Sequence, residues 1–304
     1  MNRDTRHQAV HSAQVSIDVR LVWPVGALLG EGPAWLPGEA ALQFVDIKGG
    51  RLHRYVPGSG VQETLELRGQ PSFVVPASDG TLLVGSGNRI LSVGRDGATR
   101  ATIAKVPMPA HNRTNDATVD GQGRLWFGTM DDEERQPTGA LWCLDRGKLH
   151  RMGGEAVVTN GPAITRDGRM LYHVDSGKRT IWRYMIGEGP CIESNEVFLQ
   201  LTENDGHPDG VVLDSEDCLW VALWDGWSVR RYAPDGRLLL TVKLPCARVT
   251  KIAFGGHDLR TVYVTTARVG LDAAALEDQP LAGGLFAFDA PVAGNQLPAA
   301  ALPA

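Results

Sequence analysis

Four residues with side-chain oxygens, Glu31, Asn115, Asn160 and Asp209, precede short apolar segments and could together hold a cation. Three of them belong to near-identical tetrads: Glu31-Gly32-Pro33-Ala34, Asn160-Gly161-Pro162-Ala163 and, with the proline moved ahead, Pro208-Asp209-Gly210-Val211. A glycine directly after the polar residue lets the backbone turn tightly into a strand. Hard cations such as Ca²⁺ and Mg²⁺ prefer oxygen ligands and accept neutral amides, and two carboxylates neutralise one divalent ion. Taken singly, each residue reads as a solvated turn residue ahead of a strand. Their recurrence at one spacing is what points to a site.

Other chemistries find less support. No closely spaced cysteines or paired histidines are present, which argues against a structural zinc site, although zinc also binds carboxylate oxygen. His207 stands two residues before Asp209 and reads first as a solvated loop histidine. Gly58-Ser59-Gly60 and Gly85-Ser86-Gly87 have the wrong spacing for a nucleophile elbow. Neither a phosphate loop nor a dinucleotide fingerprint followed by a helix is present. Metal-assisted chemistry is left by elimination as well as by pattern.

These residues need a scaffold that repeats. Six times a turn leads into an apolar run, anchored at Leu42, Leu82, Leu125, Leu171, Leu219 and Val262, and a partner run follows each. The anchors are 40, 43, 46, 48 and 43 residues apart, the length of one four-stranded propeller blade. The expected fold is all-β: a six-bladed β-propeller with four-stranded antiparallel blades around a central channel. An array of β-sandwiches is the rival. Residues 15–290 form the single propeller domain in this reading, flanked by a polar extension over 1–14 and a tail over 291–304. The alternating run Val15 to Val22 is expected to pair with Gly284 to Ala290 and close the ring. Stepping back ten or eleven residues from each anchor gives Glu31, Pro71 or Ser72, Asn115, Asn160, Asp209, and Lys251 or Ile252. First strands of blades line the channel, so these residues form a ring at one mouth.

Composition narrows the partners. The net charge is −5 and no Lys/Arg run occurs, so nucleic acid and anionic membranes are not expected. No segment reaches the roughly 20 apolar residues of a membrane span, and Met1 to Gln14 lack the apolar core of a signal peptide. A cytoplasmic protein is therefore the expectation, and a monomer, because a closed propeller leaves few open edges. Cys143, Cys191, Cys218 and Cys246 read as buried thiols. Trp224 and Trp227 could stack on a sugar face but read first as core between blades.

At these same residues the chain resembles the family of senescence marker protein, gluconolactonase and luciferin-regenerating-enzyme-like proteins, bacterial sugar lactonases above all. The resemblance runs from about Leu28 to Phe288. It rests on Leu29-Gly30-Glu31-Gly32-Pro33 with Phe44-Val45-Asp46-Ile47, on Arg113-Thr114-Asn115-Asp116, and on Gly123-Arg124-Leu125-Trp126 with Gly128-Thr129-Met130. Thr159-Asn160-Gly161-Pro162, Pro208-Asp209-Gly210 and Phe254-Gly255-Gly256 follow in order. Ala117 departs from the family, in which many members carry glycine after Asn-Asp. The resemblance implies that Glu31, Asn160 and Asp209 bind one divalent metal ion and that Asp209 is also the general base. It makes Arg113 and Asn115 substrate-binding, together with Glu133 in the variable loop Asp131 to Gln136. Ca²⁺ leads the candidate metals, with Zn²⁺, Mg²⁺, Mn²⁺ and Fe²⁺ behind it. The implied reaction is hydrolysis of an aldono-1,4- or 1,5-lactone of a pentose or hexose. A promiscuous esterase or phosphotriesterase, or a sugar- or calcium-binding propeller without catalysis, is the alternative.

Overall fold

The computed structural model describes residues 17–153 and 155–303. Its strands form six four-stranded antiparallel sheets in which sequence neighbours pair, as hairpin-connected blades require, except where the first strand joins the last. Inner strands are Gly30–Leu36, Pro71–Pro76, Asn112–Val119, Thr159–Ile164, His207–Leu213 and Val249–Gly255. Each contacts the inner strands of its neighbours, from Gly30–Leu36 round to Val249–Gly255, so the sheets make a ring and the fold is a six-bladed β-propeller. Among the described residues no helix is long and apolar enough to cross a membrane.

Burial follows position in the blade. Gly30–Leu36 and Val249–Gly255 are buried at every residue, whereas the outermost strands such as Val61–Glu66 are mostly exposed. Large side chains including Phe73 and Phe127, and Trp220 and Phe254, pack between adjacent blades. The buried carboxylates of Asp120 and Asp214 tie a tryptophan and an arginine in the third and fifth blades. Trp126 and Trp220 each donate Nε1 at 2.8 Å, and Arg124 and Arg231 donate Nε at 2.6 and 2.7 Å.

Ring closure is made by the strand Arg20–Trp23, which pairs with Leu285–Asp289 as the fourth strand of the last blade. Val15 and Ser16, the start of the run expected to close the ring, lie outside the described residues. The segment after Ala290 is not a loose appendage. The Ser215 amide donates to Ala293 O, the Gly294 amide to Leu259 O, the Ala300 amide to Pro76 O and the Ala301 amide to Gly123 O. It therefore straps the sixth, fifth, second and third blades, and Asn295–Pro298 border a void of about 110 Å³ at that end of the channel. Cys143, Cys218 and Cys246 are buried as expected; Cys191 is exposed, because it lies in the turn before the outer strand Ile192–Gln200.

Candidate active site at the channel mouth

All six inner strands shift register at nearly the same place. The shifts fall between Glu31 and Ala34, Pro71 and Phe73, Thr114 and Ala117, Asn160 and Ala163, Pro208 and Val211, and Val249 and Lys251. Such a bulge re-aims a side chain out of the ladder. Here it sits beside Glu31, Asn115, Asn160 and Asp209, the four positions singled out by spacing. Gly32 and Gly161 carry positive φ of 53° and 67°, and a Cβ at either would press within 2.9 Å of Phe73 or Val211. Glycine is thus required where the tetrads enter the strands.

Glu31, Arg113, Asn115, Asn160 and Asp209 all border one cavity of about 430 Å³ at the channel mouth. A chain of hydrogen bonds links its wall. Arg113 Nε donates to Asp132 Oδ1 at 2.6 Å and Nη1 to Asn115 Oδ1 at 2.5 Å. Asn115 Nδ2 donates to Asn160 Oδ1 at 2.8 Å, Asn160 Nδ2 to Ser176 Oγ at 3.0 Å, and Ser176 Oγ to the Pro208 carbonyl at 2.6 Å. Asn115 also donates to the Thr159 carbonyl, so its polar atoms are committed to the wall. Arg113 Nη1 further donates to Thr114 O, which leaves Nη2 for a ligand.

The loop after Met130 is wound around the buried carboxylate of Asp131, which accepts from the amides of Glu133, Arg135 and Gln136. That winding turns Asp132 and Glu134 toward the cavity. Glu133 points outward, with its side chain 61% exposed and paired with Arg135. Asp132 also accepts from Lys48 Nζ at 2.7 Å and Gln70 Nε2 at 3.2 Å. Burial opposes ionisation of Asp132, but these donors and Arg113 outweigh it and hold its carboxyl down at about 2.

The deeper carboxylates behave oppositely. Burial, then the charge of Asp116, pushes Glu31 up to about 8. Burial, then Glu31 and Asp116, raises Asp209 well above the ordinary carboxylate range. Asp209 Oδ1 is buried without a hydrogen-bond partner, and Glu31 accepts the Gly32 amide at 2.9 Å on one oxygen. Two buried carboxylates, one with an orphaned oxygen, beside the Asn160 carbonyl oxygen suit a hard divalent cation. Among the described residues no three His, Cys, Asp or Glu side chains form such a cluster; this set depends on an amide.

Elsewhere on the wall, His207 Nδ1 lies 3.0 Å from the Ser176 carbonyl and Nε2 lies 3.2 Å from Arg179 Nη2. The arginine can only donate, which fits the Nδ1–H tautomer and makes His207 a partnered wall residue rather than a solvated loop residue. Trp224 borders the cavity with the Arg248 guanidinium 4.8 Å above its ring, whereas Trp227 is 41% exposed; neither is core between blades. Spacing did not assign roles to Lys48, Asp132, Glu134 or Ser176. Lys251 stood at the ring phase, without a role.

A closed six-bladed propeller with a carboxylate- and amide-lined pocket at one channel mouth is the class of protein that this fold and site define. The chain belongs to the SMP-30/Gluconolactonase/LRE-like family, whose profile matches residues 29–268. It is 35% identical to the 6-deoxy-6-sulfogluconolactonase of Pseudomonas putida, over 88% of this chain and 93% of that one. A pentonolactonase of Haloferax volcanii is also 35% identical, over 88% of this chain and 92% of the relative. The crystal structure of regucalcin, a calcium-binding protein from Agrobacterium tumefaciens, superposes with a TM-score of 0.90. It is 27% identical, with 94% of this chain and 99% of that one covered.

Proposed function

We propose that the protein hydrolyses an aldono-1,4- or 1,5-lactone of a pentose or hexose at this channel mouth. In this reading Glu31, Asn160 and Asp209 hold one divalent cation, with Ca²⁺ the first choice. The observation that carries it is the partnerless, buried Oδ1 of Asp209 beside Glu31 and Asn160 in a cavity of small-sugar size. The sugar lactonases among the relatives support the reaction, and the calcium-binding regucalcin supports the cation.

A bound divalent cation supplies Lewis acidity, which acidifies water and offsets oxyanion charge. The remaining work falls to the chain. Asp209 takes the proton of the attacking water as its oxygen bonds to the lactone carbonyl carbon, and that proton passes to the ring oxygen as the ester C–O bond breaks. The product is the open aldonic acid. Arg113 Nη2 donates to lactone or hydroxyl oxygens, held in aim by its bonds to Asp132 and Asn115. Asn115 serves Arg113 and Asn160 as the linker between them, and Asp132 and Glu134 replace Glu133 as the acidic groups facing the sugar.

Proton release from fresh aldonolactones, measured on chelated protein re-supplied with Ca²⁺, Mg²⁺, Mn²⁺, Fe²⁺ or Zn²⁺, tests the proposal. Metal-dependent acceleration over spontaneous hydrolysis is expected on a small subset of sugars. A flat panel with every metal would sink it.

A further inference from the structure

Lys251 reaches across the channel from the sixth blade to the third, below the cavity. Its ammonium donates to Asp116 Oδ1 and, at 3.1 Å, to the Ala117 carbonyl. The two side chains are 6% and 2% exposed. The lysine stem passes against Gly210, where an added Cβ would lie 2.4 Å from Lys251 Cγ. Gly210 directly follows Asp209, so the lysine is packed under the segment that carries the proposed base. Lys251 also borders the void closed by Asn295–Pro298, whereas the candidate ligands border the cavity on the other side. The ion pair is a septum between the two.

The septum is part of the site's charge count. Glu31, Asp209 and Asp116 bring three negative charges and Lys251 one positive, a formal total of −2. Charges bordering the cavity cancel: Lys48 and Arg113 are offset by Asp132 and Glu134, and Arg248 by its partner Asp225, while Arg179 stands behind His207, outside the lining. A buried excess of charge is costly unless a counter-charge sits within it. One divalent cation cancels this one.

We infer that the buried Lys251–Asp116 pair sets the charge of the site at −2 and thereby makes it select a doubly charged over a triply charged cation. The inference rests on the cation reading of Glu31, Asn160 and Asp209. Lys251 and Asp116 are positioning residues here, since neither is assigned to the cation or the substrate. Loss of the lysine charge alone takes the site to −3, loss of the aspartate charge alone takes it to −1, and loss of both restores −2 with the same ligands in place. Selectivity follows that sequence, whereas a merely structural role would loosen both ions alike.

The test is calorimetric titration of chelated parent, Lys251→Met, Asp116→Asn and the double variant with Ca²⁺ and with Tb³⁺, with the melting temperature of each apoprotein recorded. The Tb³⁺-to-Ca²⁺ affinity ratio is expected to rise about tenfold or more in Lys251→Met and to fall by a similar factor in Asp116→Asn. In the double variant it returns to within about threefold of the parent. Should Lys251→Met not fold, Lys251→Arg takes its place and is expected to keep the parent's ratio, and Asp116→Asn against the double variant then decides. Ratios in the single variants that stay within about threefold of the parent overturn the inference. A parent that binds neither ion overturns the cation reading itself, so the two failures are distinct.

Discussion

Asn115 Nδ2 lies 2.8 Å from Asn160 Oδ1, and the Asn115 carbonyl oxygen in turn accepts from Arg113. One amide thereby fixes both a candidate cation ligand and the candidate substrate-binding arginine. Asn115→Ala is expected to lower both Ca²⁺ affinity and kcat/KM by about 10–100-fold, the usual cost of losing a partner that orients a ligand. Asn115→Asp sets an anionic oxygen against Asn160 Oδ1 and is expected to turn the Asn160 amide over. Calorimetry on the chelated proteins and steady-state kinetics check both; an Asn115→Ala variant with parental affinity would show that Asn160 needs no support.

Asp209 carries two roles in the proposal, and Asp209→Asn separates them. The amide keeps an oxygen for the cation but cannot take a proton, so kcat is expected to fall by about 10²–10⁴-fold while the cation still binds, more weakly. Cation binding measured alongside lactone hydrolysis reads the split. Near-parental turnover would move the base to another group, with Glu31 the next carboxylate in the cavity.

The blades and the ring of polar residues at the channel mouth were legible because both are periodic. Anchors a blade length apart fix the inner strands, and one phase of that repeat contains Glu31, Asn115, Asn160 and Asp209. What escaped is non-periodic. Asp132 and Glu134 face the cavity, and Glu133 does not, because Asp131 winds the loop through three backbone amides, a tertiary detail without a spacing signal. Lys251 stood at the correct phase, yet its role depends on reaching Asp116, 135 residues away in sequence. The strap after Ala290 has no spacing signal for a similar reason: its bonds are single contacts with turns and a strand end of four blades, not a ladder along one strand.

That strap gives a stability prediction. Leu297 is partly buried and packs against two of the interblade cores, one containing Val75 and Phe127 and the other Leu36 and Val74. Leu297→Ala is expected to cost about 2 kcal/mol, the low end for leucine truncation because the side chain is not fully enclosed. Urea unfolding should show the loss as a lower midpoint with an unchanged slope. A neutral result would mean that the strap's backbone bonds alone hold it down.

The pH response of the chelated protein tests the electrostatics of the mouth directly. Burial and the neighbouring Asp116 raise Glu31 from 4.5 to about 8, and Asp209 is raised by burial and Glu31. Within that interval the folded chain keeps a proton that the unfolded chain has released. Proton binding then favours the folded state at the acid end, and stability is lost as pH rises through the window toward 8. A cation bound by the two carboxylates ionises both and removes their part of the slope; it must also expel their protons, so binding near neutral pH releases protons. Melting temperatures of chelated and Ca²⁺-loaded protein from about pH 5 to about pH 8.5 should therefore diverge with rising pH. Titrations in two buffers of different ionisation enthalpy should count the protons released. Parallel curves and no proton release would mean that the cation, if it binds, does not bind through Glu31 and Asp209.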